Sequence, residues 1–505
     1  MKKVFLPLWG LLPFTALAQQ PKPNVILLVA DDLGYGDLSC YGATRVQTPA
    51  VDDLAAHGVL MTNMHACAST STPSRYALLT GEYPFRRPGT DVAAGNAGMI
   101  IKPQQTTVAD LMKRAGYATG AFGKWHLGLG SRTAEQDWNG ELDESLQDLG
   151  FDYHYIMAAT ADRVPCVYIE NGRVANYDPS APISVSYVKN YEGEPTGKDN
   201  PELLTKQRSS HGHNQSIVNG IGRIGYMKGG GKALWEDENI ADSIVSHAVG
   251  FIDRHQDEPF FMYLCTNDVH VPRMPHERFR GKSSMGLRGE AILQFDWTVK
   301  QIREALSKRG LEENTLIIIT SDNGPVLDDG YADDAVELAG DHKPGGPWRG
   351  GKYSAYEAGS VVPFIVYWPA GAKKGLKSDA LASLIDVPAT LSALAGVSPK
   401  DDEAHDSQNH LSTWLGKDCN PRKYSVSMAN NRSLVLRTQQ YKYISPSEGG
   451  PMIPWGPKIE TGYRPVPQLF DLSNNRYEEK DIAKDKPKVL QKLQRLLGQI
   501  RGGKS

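Results

Sequence analysis

Cysteine is scarce in this chain. Only five occur in 505 residues, and Cys40, Cys67, Cys166, Cys265 and Cys419 are too scattered for a disulfide framework and include no CxxC pair. At most two bridges could form, one thiol has to stay free, and most of the five read as small buried apolar groups. An excess of one charge is lacking too: 55 Lys and Arg stand against 58 Asp and Glu, for a formal net charge of -3, with no basic block or acidic tail. That balance gives no footprint for nucleic acid as a partner, and any anion recognition has to be local. After the first residues no apolar run reaches the ~18 residues of a spanning helix, so no membrane insertion is expected. No internal repeat is apparent, and low complexity is confined to glycine-rich loops.

What is present begins with Lys2 and Lys3, an apolar run over 4–17, and Ala16-Leu17-Ala18 before Gln19. This reads as a secretory signal over 1–18, placing the remainder in the periplasm or outside the cell. A buried N-terminal helix is the alternative, and Pro7 and Pro13 suit it poorly. No cysteine follows the cleavage site, so a lipid anchor is not indicated.

Short apolar runs at Asn24–Ala30, 260–264, 315–319 and 363–367 alternate with helical patterns at 50–57, 107–115, 240–255 and 291–309. This alternation predicts an α/β fold, a large doubly wound, mostly parallel sheet between helices. In such sheets ligands bind beyond the carboxyl ends of the strands, which selects Asp31, Asp32, His270, Asp322 and Asn323 before any motif is considered. The stretches 178–232 and 324–351, rich in Gly, Pro and polar residues, read as long loops. After residue 420 the pattern changes to short strands at 433–438 and 440–445 and a helix at 487–500. The expected organisation is therefore a catalytic domain over 19–419 and a smaller C-terminal α+β unit over 420–505.

The most specific run is Ser71-Thr72-Pro73-Ser74-Arg75, continuing to Thr80-Gly81. On its own it also fits a proline-initiated helix N-terminus in a Ser/Thr-rich loop. Its companions follow in order: NVILLVADDLGYG over 24–36, Thr48-Pro49-Ala50-Val51-Asp52, Gly123-Lys124-Trp125-His126-Leu127-Gly128, His270-Val271-Pro272, Thr320-Ser321-Asp322-Asn323-Gly324, and Gly351-Lys352 with Tyr356-Glu357 and Val362-Pro363. Leu469-Phe470-Asp471-Leu472 closes the series. Together they resemble the formylglycine-dependent sulfatases of the alkaline phosphatase superfamily, in the variant whose modified residue is serine. The resemblance implies that Ser71 is oxidised to formylglycine by a radical maturase before export, and that one Ca²⁺ is held by Asp31, Asp32, Ser71, Asp322 and Asn323. It also implies that residue 71 attacks sulfur while His270 and Lys352 assist the departing alcohol, that His126 then takes a proton as sulfate is expelled, and that Arg75 and Lys124 flank the nucleophile.

The residue types suit these roles. Three carboxylates and an amide oxygen at two strand ends form an all-oxygen set for a hard cation, although each Asp alone would fit a turn or cap. Arg75, Lys124 and Lys352 would place fixed positive charge around a sulfuryl group, although a lone cation is usually solvated. Imidazoles exchange protons near neutrality, and His154, His211, His213, His247 and His255 carry no assignment. The competing expectations are a phosphodiesterase or phosphonate monoester hydrolase of the same superfamily, and an inactive protein that binds sulfated glycans. The expected substrate is a sulfated hexose or N-acetylhexosamine of a glycan, with choline sulfate and aryl sulfates as alternatives. Segments 159–163, 211–214 and 346–349 are the expected pocket loops.

Overall fold

The protein is described by a computed structural model covering residues 22–473 and 476–502, so the expected signal segment at 1–18 lies outside the described residues. Asn24–Ala30 forms strand β1, buried at every position. It pairs in parallel with Phe260–Cys265 (β5) on one side and Thr315–Ser321 (β6) on the other. A strand covered on both edges and both faces shows no polar side, which is why it reads as an unbroken apolar run. Val59–His65 (β2), Ala118–Lys124 (β3), Tyr153–Met157 (β4) and Val361–Tyr367 (β7) complete the body of an 11-stranded sheet, with central order β2-β7-β6-β1-β5-β3-β4. β3 and β4 continue the parallel set, whereas β7 runs antiparallel to both β6 and β2, so the sheet is the expected mixed, mostly parallel one.

Strands β2, β3 and β4 are absent from the sequence expectation, and two of them show why. β3 reads ATGAFGK: its Gly120 lies against the rings of Phe122 and Phe251, and Gly123 adopts φ +80 so near β5 that a Cβ there would sit 1.8 Å from the Cys265 carbonyl oxygen. The glycines that permit this approach also erase the apolar pattern. In β2 the buried residues include Thr62, Asn63 and His65, with the His65 ring satisfied by Asn63 and Ser360.

Helices Pro49–Ala56 (α1), Ile240–Arg254 (α4) and Gly286–Lys308 (α5) pack as one group, and Ser71–Thr80 (α2), Val108–Arg114 (α3) and Val387–Ala395 (α6) as another. α4 turns Ile240, Ile244, Ala248, Phe251 and Ile252 inward at helical spacing. α5 begins five residues before the expected 291 because its first turns bury polar groups that periodicity cannot see. Arg288, 1% exposed, donates from both terminal nitrogens to the two Asp37 oxygens at 2.7 Å. Burial alone would raise the Asp37 carboxyl, but Arg288 and His342 outweigh it and hold it at about 2.

The segment 178–232 corrects the loop expectation in part. It contains short antiparallel ladders, Ser184–Ser186 with Tyr226–Lys228 and Ile217–Val218 with Ile221–Gly222. After the large sheet, Ser425–Met428 (β8), Leu434–Arg437 (β9), Tyr441–Ile444 (β10) and Gln468–Asp471 (β11) form a four-stranded antiparallel sheet, covered by helix Pro487–Gly502 (α7) through Leu493, Leu497 and Ile500. Its core is continuous with Cys67, Ala68 and Ala77 of the large unit. Met428 and the segment entering α2 exchange backbone bonds, Met428 N to the Cys67 carbonyl and Ser69 N to the Met428 carbonyl. All five cysteines are free thiols, with Cys67, Cys166 and Cys265 buried as expected.

Candidate active site

Register places the first groups. Ala30 of β1 is level with Ser321 of β6, so Asp31 and Asp322 leave the sheet side by side at its carboxyl edge, and the Asp322 N–H still donates to the Ala30 carbonyl. Asp32 turns back at φ +56, where its N–H meets Asp322 Oδ1 at 3.2 Å. Asn323 donates from Nδ2 to Asp32 Oδ1 at 2.8 Å, leaving its own Oδ1 buried without a partner. The four residues are at most 1% exposed.

α2 starts at Ser71 and presents it to this floor. Ser71 Oγ accepts from Arg75 Nε one helical turn on, at 2.9 Å, and the same nitrogen lies 3.0 Å from Asp322 Oδ2. Lys124, the last residue of β3, reaches Asp31 Oδ1 at 2.6 Å and Asp322 Oδ2 at 3.5 Å. Lys352 bridges Asp32 Oδ2 at 2.7 Å and Asp329 Oδ2 at 2.8 Å. Burial would lower the Lys352 ammonium, but the two carboxylates outweigh it and raise it well above the usual range. Burial would raise Asp322, and Arg75 with Lys124 instead hold it well below the usual carboxylate range. Burial pushes Asp31 up against the pull of Lys124.

The two motif histidines differ in their contacts. His126, at φ +59, places Nε2 2.9 Å from the Ala93 carbonyl and leaves Nδ1 buried without a partner. Burial, then Lys124 and Arg163, push its pKa well below the usual value. A neutral ring that donates from Nε2 carries a free lone pair on Nδ1, the form of a general base. His270 has Nδ1 2.6 Å from the Val271 carbonyl and Nε2 3.7 Å from Asp32 Oδ2.

Ser71, His126, His270 and Lys352 line one cavity of about 660 Å³. Of the expected pocket loops, Asp162, Arg163 and residues 211–214 line it as well. The third, 346–349, does not. Gly346, Pro347 and Trp348 line a separate cavity, and Arg349 is drawn away by Glu460, at 2.7 Å. Polarity and nearness in sequence to Lys352 favour this segment as a pocket loop, but neither encodes its ion pair with the C-terminal unit. Asp329 and Tyr353 reach the cavity unannounced, with Tyr353 donating to Asp329 at 2.7 Å, whereas His213, within the expected 211–214 loop, lies 2.9 Å from Asp162. In sequence Asp329 is one more turn-like residue in a Gly/Asp/Pro loop, and only the fold joins it to Lys352.

The donor set fits a hard divalent cation. Asp31, Asp32 and Asp322 converge with the unpartnered Asn323 oxygen, and Asp31, Asp32 and His270 present ligand atoms within 4.8 Å of one another. Carboxylates crowded this closely with an unsatisfied amide oxygen are stabilised by a cation, and oxygen donors favour calcium or magnesium over softer metals.

A family model described as Sulfatase matches residues 23–397. The chain is 52% identical over 480 residues to an N-acetylgalactosamine-6-O-sulfatase of Bacteroides thetaiotaomicron, covering 95% of this chain and 93% of that one. It is 30% identical over 511 residues to human arylsulfatase A, covering 95% and 88%. A solved structure reported for metabolism of multiple glycosaminoglycans by Bacteroides thetaiotaomicron superposes with a TM-score of 0.93 at 51% identity, covering 96% of this chain and 100% of that one.

Proposed function

Because this chain belongs to the sulfatase family and is a sulfuric ester hydrolase acting on a glycan, we propose that it removes an O-sulfate from an N-acetylhexosamine, with N-acetylgalactosamine 6-sulfate the first choice. The observation that carries this reading is the meeting of Ser71, Lys352 and two histidines in one cavity, next to a buried oxygen-donor set at two strand ends that Arg75, Lys124 and Lys352 contact.

Asp31, Asp32, Asp322 and Asn323, with an oxygen of residue 71, would hold calcium, which supplies charge compensation and Lewis acidity when bound. Formylglycine at position 71 supplies, as its hydrate, one hydroxyl to attack sulfur and a second through which sulfate is released. Arg75 fixes residue 71 from one turn along α2 and keeps Asp322 ionised. Lys352 brings fixed positive charge to the cavity wall, where a sulfuryl group would enter, and buried Lys124 adds to it from beside Asp31 and Asp322. His126 accepts a proton at Nδ1, its tautomer fixed by the Ala93 carbonyl. His270, oriented by the Val271 carbonyl at Nδ1, delivers a proton from Nε2 to the departing sugar oxygen. The proposal includes export, maturation of Ser71 by a radical maturase beforehand, and units at 19–419 and 420–505.

A panel of defined sulfated sugars with released sulfate measured tests the reading, and N-acetylgalactosamine 6-sulfate should be hydrolysed fastest. Turnover of phosphodiesters or phosphonate monoesters with none of the sulfated sugars would replace it by the superfamily alternative. Chelation should lower both activity and thermal midpoint, and calcium should restore them, since a ligand at a hundredfold its Kd stabilises by about 2.7 kcal/mol. Stoichiometric zinc in active protein would overturn the calcium assignment.

A further inference from the structure

The cavity floor is charged, but part of its rim is not. Among the described residues few large apolar side chains are exposed, and two of them, Val92 at 41% and Trp455 at 39%, line this cavity. Trp455 belongs to the C-terminal unit, in the connection between β10 and β11. There the chain folds into a small hairpin: Met452 bridges Glu460, the Ile453 N–H donates to the Ile459 carbonyl, and the Thr461 N–H to that of Pro451. The base is anchored by buried Ile453 and Thr461 and by the Glu460 pair with Arg349, so the exposed indole is carried at the tip of a fixed element.

The tip is also fitted to the cavity. Trp455 meets the Tyr353 ring edge-on at 5.3 Å, and next to it Gly456 lies so close to His211 that a Cβ would sit 1.8 Å from the imidazole. Tyr353 is held at φ +77 by three bonds: its N–H donates to the Ser69 carbonyl, and its carbonyl accepts from Asn430 N–H and from Tyr463 Oη. Two of those three partners come from the C-terminal unit. A backbone held in the left-handed region by bonds from two units is ordered in advance, and such strain is concentrated where geometry serves a ligand.

We infer that Trp455, seated on Tyr353, is the stacking platform for the pyranose ring of the substrate, so that the C-terminal unit supplies the sugar-recognising wall of the cavity. A pyranose has an apolar C–H face and a hydroxyl-bearing edge. A cavity with charge at its floor and an indole at its rim can hold the sulfate and that apolar face at once. The inference rests on the sulfated-sugar reading above.

The test compares wild type, Trp455→Ala and Trp455→Phe on N-acetylgalactosamine 6-sulfate, with inorganic sulfate as a competitive inhibitor that needs no platform. Trp455→Ala should raise KM about tenfold or more with kcat within about threefold, while the inhibition constant for sulfate and the thermal midpoint stay unchanged. Trp455→Phe should recover most of the loss. A KM within about twofold of wild type for Trp455→Ala, or sulfate inhibition weakened in proportion to KM, would overturn the platform. Absence of sulfate release from the sugar by wild type would overturn the underlying reading instead.

Discussion

Replacing Ser71 by alanine should lower kcat/KM on a sulfated sugar by roughly 10⁴–10⁶-fold, the scale seen when a nucleophile is removed from a site that otherwise stays intact. The variant should fold normally. Arg75 loses one acceptor but keeps Asp322 at 2.9 Å, and alanine at the start of α2 opens no large void. The chemical half of the expectation is read by mass: in active protein the peptide carrying residue 71 should be lighter than its serine form by one dihydrogen. Full activity in protein bearing only unmodified Ser71 would show that the hydroxyl itself is the nucleophile. Retention of most activity by Ser71→Ala would remove residue 71 from the chemistry altogether.

The second large effect is a difference between substrates. A sugar alkoxide is a poor leaving group and a nitrophenolate a good one, so His270→Ala should cost about 10²–10⁴-fold more on the sugar sulfate than on nitrophenyl sulfate. His126→Ala should slow both substrates alike, because its assigned proton transfer does not involve the leaving group. His270 also lies near Asp31 and Asp32, and metal analysis of His270→Ala distinguishes the two roles. A general acid can be removed with bound calcium unchanged, whereas loss of the ion in step with activity would make His270 a ligand. Equal losses on both substrates would mean that His270 does not protonate the leaving group.

How much of this was legible beforehand follows from where the signal resided. β1 and β6 are buried on both faces, so their apolar runs and abrupt acidic ends were visible, and with them the floor of the site. β3 was not legible, because Gly120 and Gly123 fit it to its neighbours by having no side chain. The start of α5 was hidden for the opposite reason: Arg288 reads as a solvent residue and is neutralised inside by Asp37, 251 positions away. The motif residues Ser71, His126, His270 and Lys352 are legible because each lies in a contiguous run and the fold brings them to one cavity, whereas Asp329 and Tyr353 depend on contacts that exist only after folding. The 346–349 expectation failed because closeness in sequence to Lys352 does not fix the direction of a loop that Glu460 holds elsewhere.

One feature of α2 bears on the order of events in the life of the chain. Every residue of this helix is buried, Pro73 and Arg75 among them, and the segment before it is tied by backbone bonds to Met428 of the C-terminal sheet. On the formylglycine reading, a maturase has to recognise Pro73 and Arg75 as well as Ser71; in the finished molecule Pro73 and Arg75 are buried, and Ser71 opens only to the substrate cavity. Oxidation would then have to come first. On that reading, docking of the C-terminal sheet would close the window for oxidation, and a chain that folds with Ser71 unmodified would stay inactive even when the maturase is supplied later.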